Sequence, residues 1–234
     1  MTSLLAWHGT RADGTTKHLK VKELVGVKTL LAGDVELCKN ALHGSLRAVD
    51  MLRQSEGLWI KRTLHEGTII HDSDKFGSSE RTVVAEADAT QVVVDWALWC
   101  ADRAVRIHAV AALRQAGMNM VAEKLASLEA ITDRKSASAA GCAAVSIAQI
   151  IYGAGHATCA TAYIAANVAH AAADAARAAA NAVDNAASAV DNAASAASNT
   201  ACAAADGTEM SLLNAELERR LLALMGLTEM EVTQ

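Results

Sequence analysis

Residues 58–70, LWIKRTLHEGTII, are followed by the polar stretch HDSDKFGSSE (71–80) and then by RTVVAEA (81–87). Two runs rich in β-branched and other apolar residues on either side of a polar turn read as a strand pair. Working outward, LLAWH (4–8) reads as a short strand entering the turn Gly9-Thr10. Residues 19–31 mix strand and turn signals, and Val35 to His43 reads as a strand ending at Gly44. Ser45 is positioned to cap a helix through LRAVDMLRQ, where Leu46, Val49 and Leu52 share one face. The expectation for residues 1–87 is a small mixed or antiparallel sheet with one short helix.

At Asp88 the pattern changes. Asp88-Ala-Thr-Gln91 has capping-box spacing. The following QVVVDWALWCADRAVRIHAVAALRQ has a helical apolar face and stops at Gly117, with a second helix, NMVAEKLASLEAI, behind it. These predict a helical pair over 88–134. From about Lys135 alanine dominates, and AVDNAAS occurs twice, at 182–188 and 189–195. Polar residues at Asp174, Arg177, Asn181, Asp184, Ser188, Asp191, Ser195 and Ser198 step by three and four alternately. That period draws a narrow polar stripe on a helix and implies a left-handed supercoil. Alanine favours helix but offers little area to bury. Residues 135–206 are therefore expected to pack closely, either around the sheet module or against other copies as a homo-oligomer. A last amphipathic helix, EMSLLNAELERRLLALM, is expected within 207–234. The chain is thus expected to be α+β, with an all-helical, Ala-rich second half.

Composition narrows the function classes. The net charge is −5 with the two signs interspersed; no Lys/Arg run offers a phosphate-tracking surface, so no nucleic-acid partner is expected. The five cysteines, Cys38, Cys100, Cys142, Cys159 and Cys202, form no CxxC pair, which suits free thiols in a reducing cytosol. No secretory leader is recognised at the N-terminus. Ser136 to Ala173 lacks Asp, Glu, Lys and Arg, but its Ala, Gly, Ser and Thr content suits a buried helix pair better than a membrane span. No metal site is expected, because His43, His65 and His71 lack ligand spacing.

Three short segments carry the candidate chemistry: LLAWHGT at 4–10, ALHGS at 41–45 with a helix behind it, and SERTVV at 79–84. Read bland, His8 is a strand-end residue satisfied by backbone, His43-Gly44-Ser45 is a strand end with a helix cap, and Glu80-Arg81 is a solvated turn pair. Read together, their order over residues 4–95 resembles the ADP-ribosyltransferase family, the poly-ADP-ribose polymerase branch in particular. The resemblance implies a nucleotide site, for NAD or a related ligand, in which His8, Gly9, Thr10, Ser45 and Trp7 bind the cofactor. It further implies that His8, His43 and Glu80 form the catalytic set, with Glu80 stabilising an oxocarbenium-like charge. Position 43 holds His where that family commonly has Tyr. No Tyr precedes Tyr152, so Trp7, Trp59 or Phe76 would have to stack on the nicotinamide.

ELCKNALHGSLRAVDML, SERTVV and the Ala-repeat tail also resemble small proteins encoded by tailed bacteriophages and prophages. The expectation is a phage accessory or counter-defence binding protein in the bacterial cytoplasm, non-catalytic and oligomeric, with a host protein or a nucleotide as partner. The alternatives are an active NAD-dependent ADP-ribosyltransferase and a virion-associated helical scaffold.

Overall fold

The computed structural model describes residues 3–16, 22–153, 160–185, 188–204 and 207–228. The chain is α+β and divides into two compact units, residues 1–93 with 214–234, and residues 94–213. The last helix was expected to be a segment of its own; its C-terminal part belongs to the first unit.

The first unit holds five strands: β1 (Leu4–Thr10), β2 (Lys28–Leu30), β3 (Leu42–Gly44), β4 (Trp59–His71) and β5 (Phe76–Asp88), with helix α1 (Ala48–Gln54) between β3 and β4. All strand pairs are antiparallel, in the order β1-β4-β5-β2, and β3 pairs with the other part of β5. Just beyond β3, Ser45 exchanges both backbone hydrogen bonds with Trp7 of β1, at 2.8 and 3.0 Å. The ring β1-β4-β5-β3 thus closes on itself, and a closed sheet leaves fewer open edges than a flat one.

Its interior is unusually polar. Neutral His65 bridges the Thr63 hydroxyl at 3.0 Å and the Ser78 hydroxyl at 2.8 Å, and Thr63 Oγ1 donates to Ala6 O. Burial, reinforced by Arg81 and His43, pushes the His65 pKa down to about 2. Buried Glu23 accepts from Arg81 Nε and Nη2 at 2.8 and 2.6 Å through one carboxylate oxygen, and its other oxygen lies 3.8 Å from Lys61 Nζ. A buried charge persists in a low-dielectric interior only when paired in this way.

Local structure differs from the sequence reading at five places. Gly9 and Thr10, expected as a turn, continue β1 against Ile60 and Trp59 of β4. Val35 to Asn40 form no strand: Glu36 and Asn40 exchange backbone hydrogen bonds across a tight turn with Cys38 at φ 65°, and Asn40 Nδ2 donates to Ala32 O and Asp34 O. Ser45 does not cap α1. The N-cap is Arg47 without a side-chain bond, and the first helical amides, Ala48 and Val49, donate to Glu218 Oε1 and Asn214 Oδ1. Phe76 to Glu80, expected as turn, is strand; only Asp72 to Lys75 turns, closed by Asp72 N–H to Lys75 O. Of the mixed stretch 19–31, residues 19–21 lie outside the described residues, and only Lys28–Leu30 is strand.

In the second unit, α2 (Thr90–Asp102, starting in the first unit) continues through a π-helical segment, Arg103–Ala109, into α3 (Val110–Gln115). Asp88 Oδ1 accepts from the Thr90 amide ahead of this helix, and Gly117 follows it at φ 75°. Helices α4 (Asn119–Ala126), α5 (Arg134–Gly153), α6 (Ala160–Asp184), α7 (Ala189–Ala204) and α8 (Glu209–Leu224) follow. Helix α6 packs against α5, α7 and the π-helical segment, which buries Ala165, Ala169, Ala172, Ala176 and Ala179 completely. A Cβ on Gly141 of α5 would stand 3.5 Å from Ala173 O, a close approach that small residues permit. The single supercoiled helix expected from the AVDNAAS repeat is broken between Asp184 and Ala189, because α6 and α7 fold together and bury their alanines within the chain. Among the described residues no helix is long and apolar enough to cross a membrane.

Candidate ligand-binding site

The first unit contains a cavity of about 160 Å³ at the seam where β1 meets β3. Trp7, His8, Gly9 and Thr10 of β1, and His43, Gly44 and Ser45 at β3, all line it, together with Arg81 of β5. Its buried wall includes Thr10, Ser45, Met51 and Arg81; Cys38, Gln54 and Glu56 are exposed and stand at the mouth.

The two His-Gly pairs are built alike. Each puts an imidazole on the cavity and sets against a neighbour a glycine that could not carry a side chain. A Cβ on Gly9 would meet Ser55 Oγ at 1.9 Å, and one on Gly44 would meet His65 Nε2 at 2.8 Å and Ala6 Cβ at 2.9 Å. Close packing of α1 and the barrel interior therefore accounts for both glycines.

His8 pairs with Lys61 in the β1–β4 register, and its Nε2 is buried without a hydrogen-bond partner. Desolvation by burial, and then the positive charge of Arg81 and the neighbouring histidines and Lys61, hold its pKa well below 6.5. The ring is neutral at pH 7 and keeps one nitrogen for a ligand. His43 Nε2 accepts from the Cys38 amide at 3.2 Å, so that nitrogen carries no proton, and His43 O accepts from Arg81 Nη1 at 2.7 Å. Thr10 Oγ1 lies 3.1 Å from Trp59 O and 3.2 Å from Arg11 O, which commits its proton to backbone and leaves lone pairs to offer.

Glu80 is the one predicted site residue that does not line the cavity. Its carboxylate accepts from Lys28 Nζ at 2.9 Å, and the same ammonium reaches Glu66 at 2.8 Å. The hydrogen bonds that Lys28 donates to Glu66 and then Glu80 raise its pKa. Glu80 thus faces Lys28 of β2 and not the cavity. Beside it the β4–β5 pairing is irregular between Glu66 and Ile69, with Gly67 at φ 75°.

Of the three expected stacking rings, only Trp7 lines the cavity, and it is covered. Trp7 is 1% exposed, with Arg62 4.5 Å above its ring and its Nε1 donating to Glu218 Oε1. Phe76 is equally buried, edge-on to His65 at 4.7 Å. Trp59 does not line the cavity.

Arg81 and Glu56 were missed as site residues. Arg81 stands next to Glu80 in SERTVV, and an arginine followed two residues later by buried Val83 was the available signal of an inward face. Glu56 sits in a loop after α1, where no pattern marks it. Among the described residues, no group of three or more His, Cys, Asp or Glu is placed to hold a metal ion. Comparison with protein-family models, curated proteins and solved structures finds no match to this chain.

Proposed function

We propose that the first unit is an ADP-ribosyltransferase-like module that binds the sugar-bearing end of a nucleotide, NAD or a related compound, without turning it over. The reading rests on one observation above all: His8, whose Nε2 is buried and unpartnered, lines a cavity with Gly9, Thr10, His43 and Ser45. Pockets that enclose whole drug-sized ligands run from roughly 300 to 1,000 Å³; 160 Å³ suits one sugar or base, with the rest of the ligand outside. Two observations support a site without turnover: Glu80 is tied to Lys28 and does not line the cavity, and Trp7 is covered by Arg62.

The wider role is a phage-encoded accessory or counter-defence factor in the bacterial cytoplasm, with the second unit joining copies. Exposed Ile150, Tyr152, Tyr163 and Ile164 on α5 and α6 support self-association, since grouped apolar exposure marks contact surfaces.

Isothermal titration of the full chain with NAD and ADP-ribose tests binding, and incubation with labelled NAD, with and without Glu80→Ala, tests turnover. Binding without nicotinamide release is expected. Release that Glu80→Ala abolishes would replace this reading with an active transferase. Light scattering on the full chain tests oligomerisation, and a monomer mass at micromolar concentration would remove it.

A further inference from the structure

We infer that Glu56 is the specificity-determining carboxylate of the cavity, accepting hydrogen bonds from ligand hydroxyls at its mouth; this rests on the nucleotide-binding reading above. Among the described residues, Glu56 is the only acidic one lining the cavity. It is held in place from two sides. Arg11 Nε lies 2.9 Å from its Oε2, and the loop behind it is pressed onto the end of β1, where a Cβ on Gly57 would meet Thr10 O at 2.7 Å. Ser55 Oγ accepts from the Gly57 amide at 3.2 Å and closes the same loop.

The surroundings decide which donor Glu56 meets. Lys75 and Arg81 line the cavity and Arg11 lies against Glu56, so a cationic ligand group would be repelled and a neutral hydroxyl would not. Farther in, the guanidinium of Arg81, which also bonds Glu23 and His43 O, favours an acceptor-rich group. The ligand is therefore oriented with acceptors inward and hydroxyls outward, as a sugar ring with a carbonyl or phosphate substituent provides. Glu80 has no part in this, since it pairs with Lys28 and does not line the cavity.

The test is isothermal titration of ADP-ribose into the full-length wild type and into the Glu56→Gln, Glu80→Gln and Arg11→Ala variants. Removing a charged acceptor from a hydrogen-bonded hydroxyl weakens binding by about tenfold or more, which is expected of Glu56→Gln. Glu80→Gln is expected to bind as wild type. Arg11→Ala breaks the ion pair yet keeps the carboxylate, so it separates a direct contact from loop support; unchanged or tighter binding is expected. Wild-type affinity in Glu56→Gln, or an equal loss in Arg11→Ala, would overturn the assignment while leaving nucleotide binding intact. No heat of binding in the wild type would overturn both.

Discussion

Glu218 Oε1 accepts the indole N–H of Trp7 and the backbone amide of Ala48, each at 3.2 Å. One oxygen from the C-terminal helix therefore fixes a buried strand residue and supplies the cap that Arg47 lacks, with Asn214 serving the next amide. Removing it leaves a buried indole donor and an uncapped helix start. Glu218→Ala is expected to lower stability by about 1–3 kcal/mol. Urea unfolding followed by tryptophan fluorescence checks this, and a loss below roughly 0.5 kcal/mol, the range of ordinary surface substitutions, would contradict it.

Gly44 and Gly207 should respond oppositely to alanine. At Gly44 the new methyl meets His65 and Ala6 below 3 Å, whereas at Gly207 nothing lies within 4 Å. Overpacking costs about 1–3 kcal/mol, so Gly44→Ala is expected to lose that much and Gly207→Ala to stay within about 0.5 kcal/mol of wild type. Thermal melts of the two variants side by side make the comparison.

The Arg81–Glu23 pair is nearly solvent-free, each side chain being 1% exposed. Truncating one partner strands the other charge, which costs about 3–5 kcal/mol. Arg81→Met is expected to fall in that range. The double variant Arg81→Met/Glu23→Gln should recover part of the loss, because it removes a buried carboxylate left with only Lys61 at 3.8 Å. Denaturant titrations of both variants supply the test, and a double variant no more stable than Arg81→Met would contradict it.

Acid should weaken the first unit through its histidines. His65 has a folded-state pKa of about 2, and that of His8 is also well below 6.5. Near 6.5 and below, the unfolded chain takes up protons that the folded chain refuses. Stability from each ring is therefore complete above pH 6.5 and falls as pH drops below it, by up to about 1.4 kcal/mol per pH unit per histidine. For His65 the fall continues until about pH 2. Stability measured at pH 7 and pH 5 should differ more in the wild type than in His65→Gln. Equal differences would show that the ring does not carry the effect.

Much of the fold was legible because its signals are local. The β4 and β5 runs, the helical period after Asp88 and the stop at Gly117 are set by residues close in sequence. The misread elements depend on distant partners. Ser45 looks like a cap, but its backbone is taken by Trp7 and the capping oxygens come from residues 214 and 218. AVDNAAS reads as one long helix, yet packing of α6 and α7 breaks it. For the site, both His-Gly pairs line the cavity, although Gly9, read as a turn, lies within β1. The position of Glu80 was not legible, because the partner that holds it, Lys28 on β2, lies 52 residues away.

The first unit draws on both ends of the chain, residues 1–93 and 214–234. During synthesis the ring of strands emerges first, yet Trp7 and the start of α1 lack their carboxylate until some 120 further residues have been translated. The earliest-made part of the protein is thus the last to be completed. A ribosome-bound chain halted before residue 214 would hold this unit in an unfinished and protease-sensitive state.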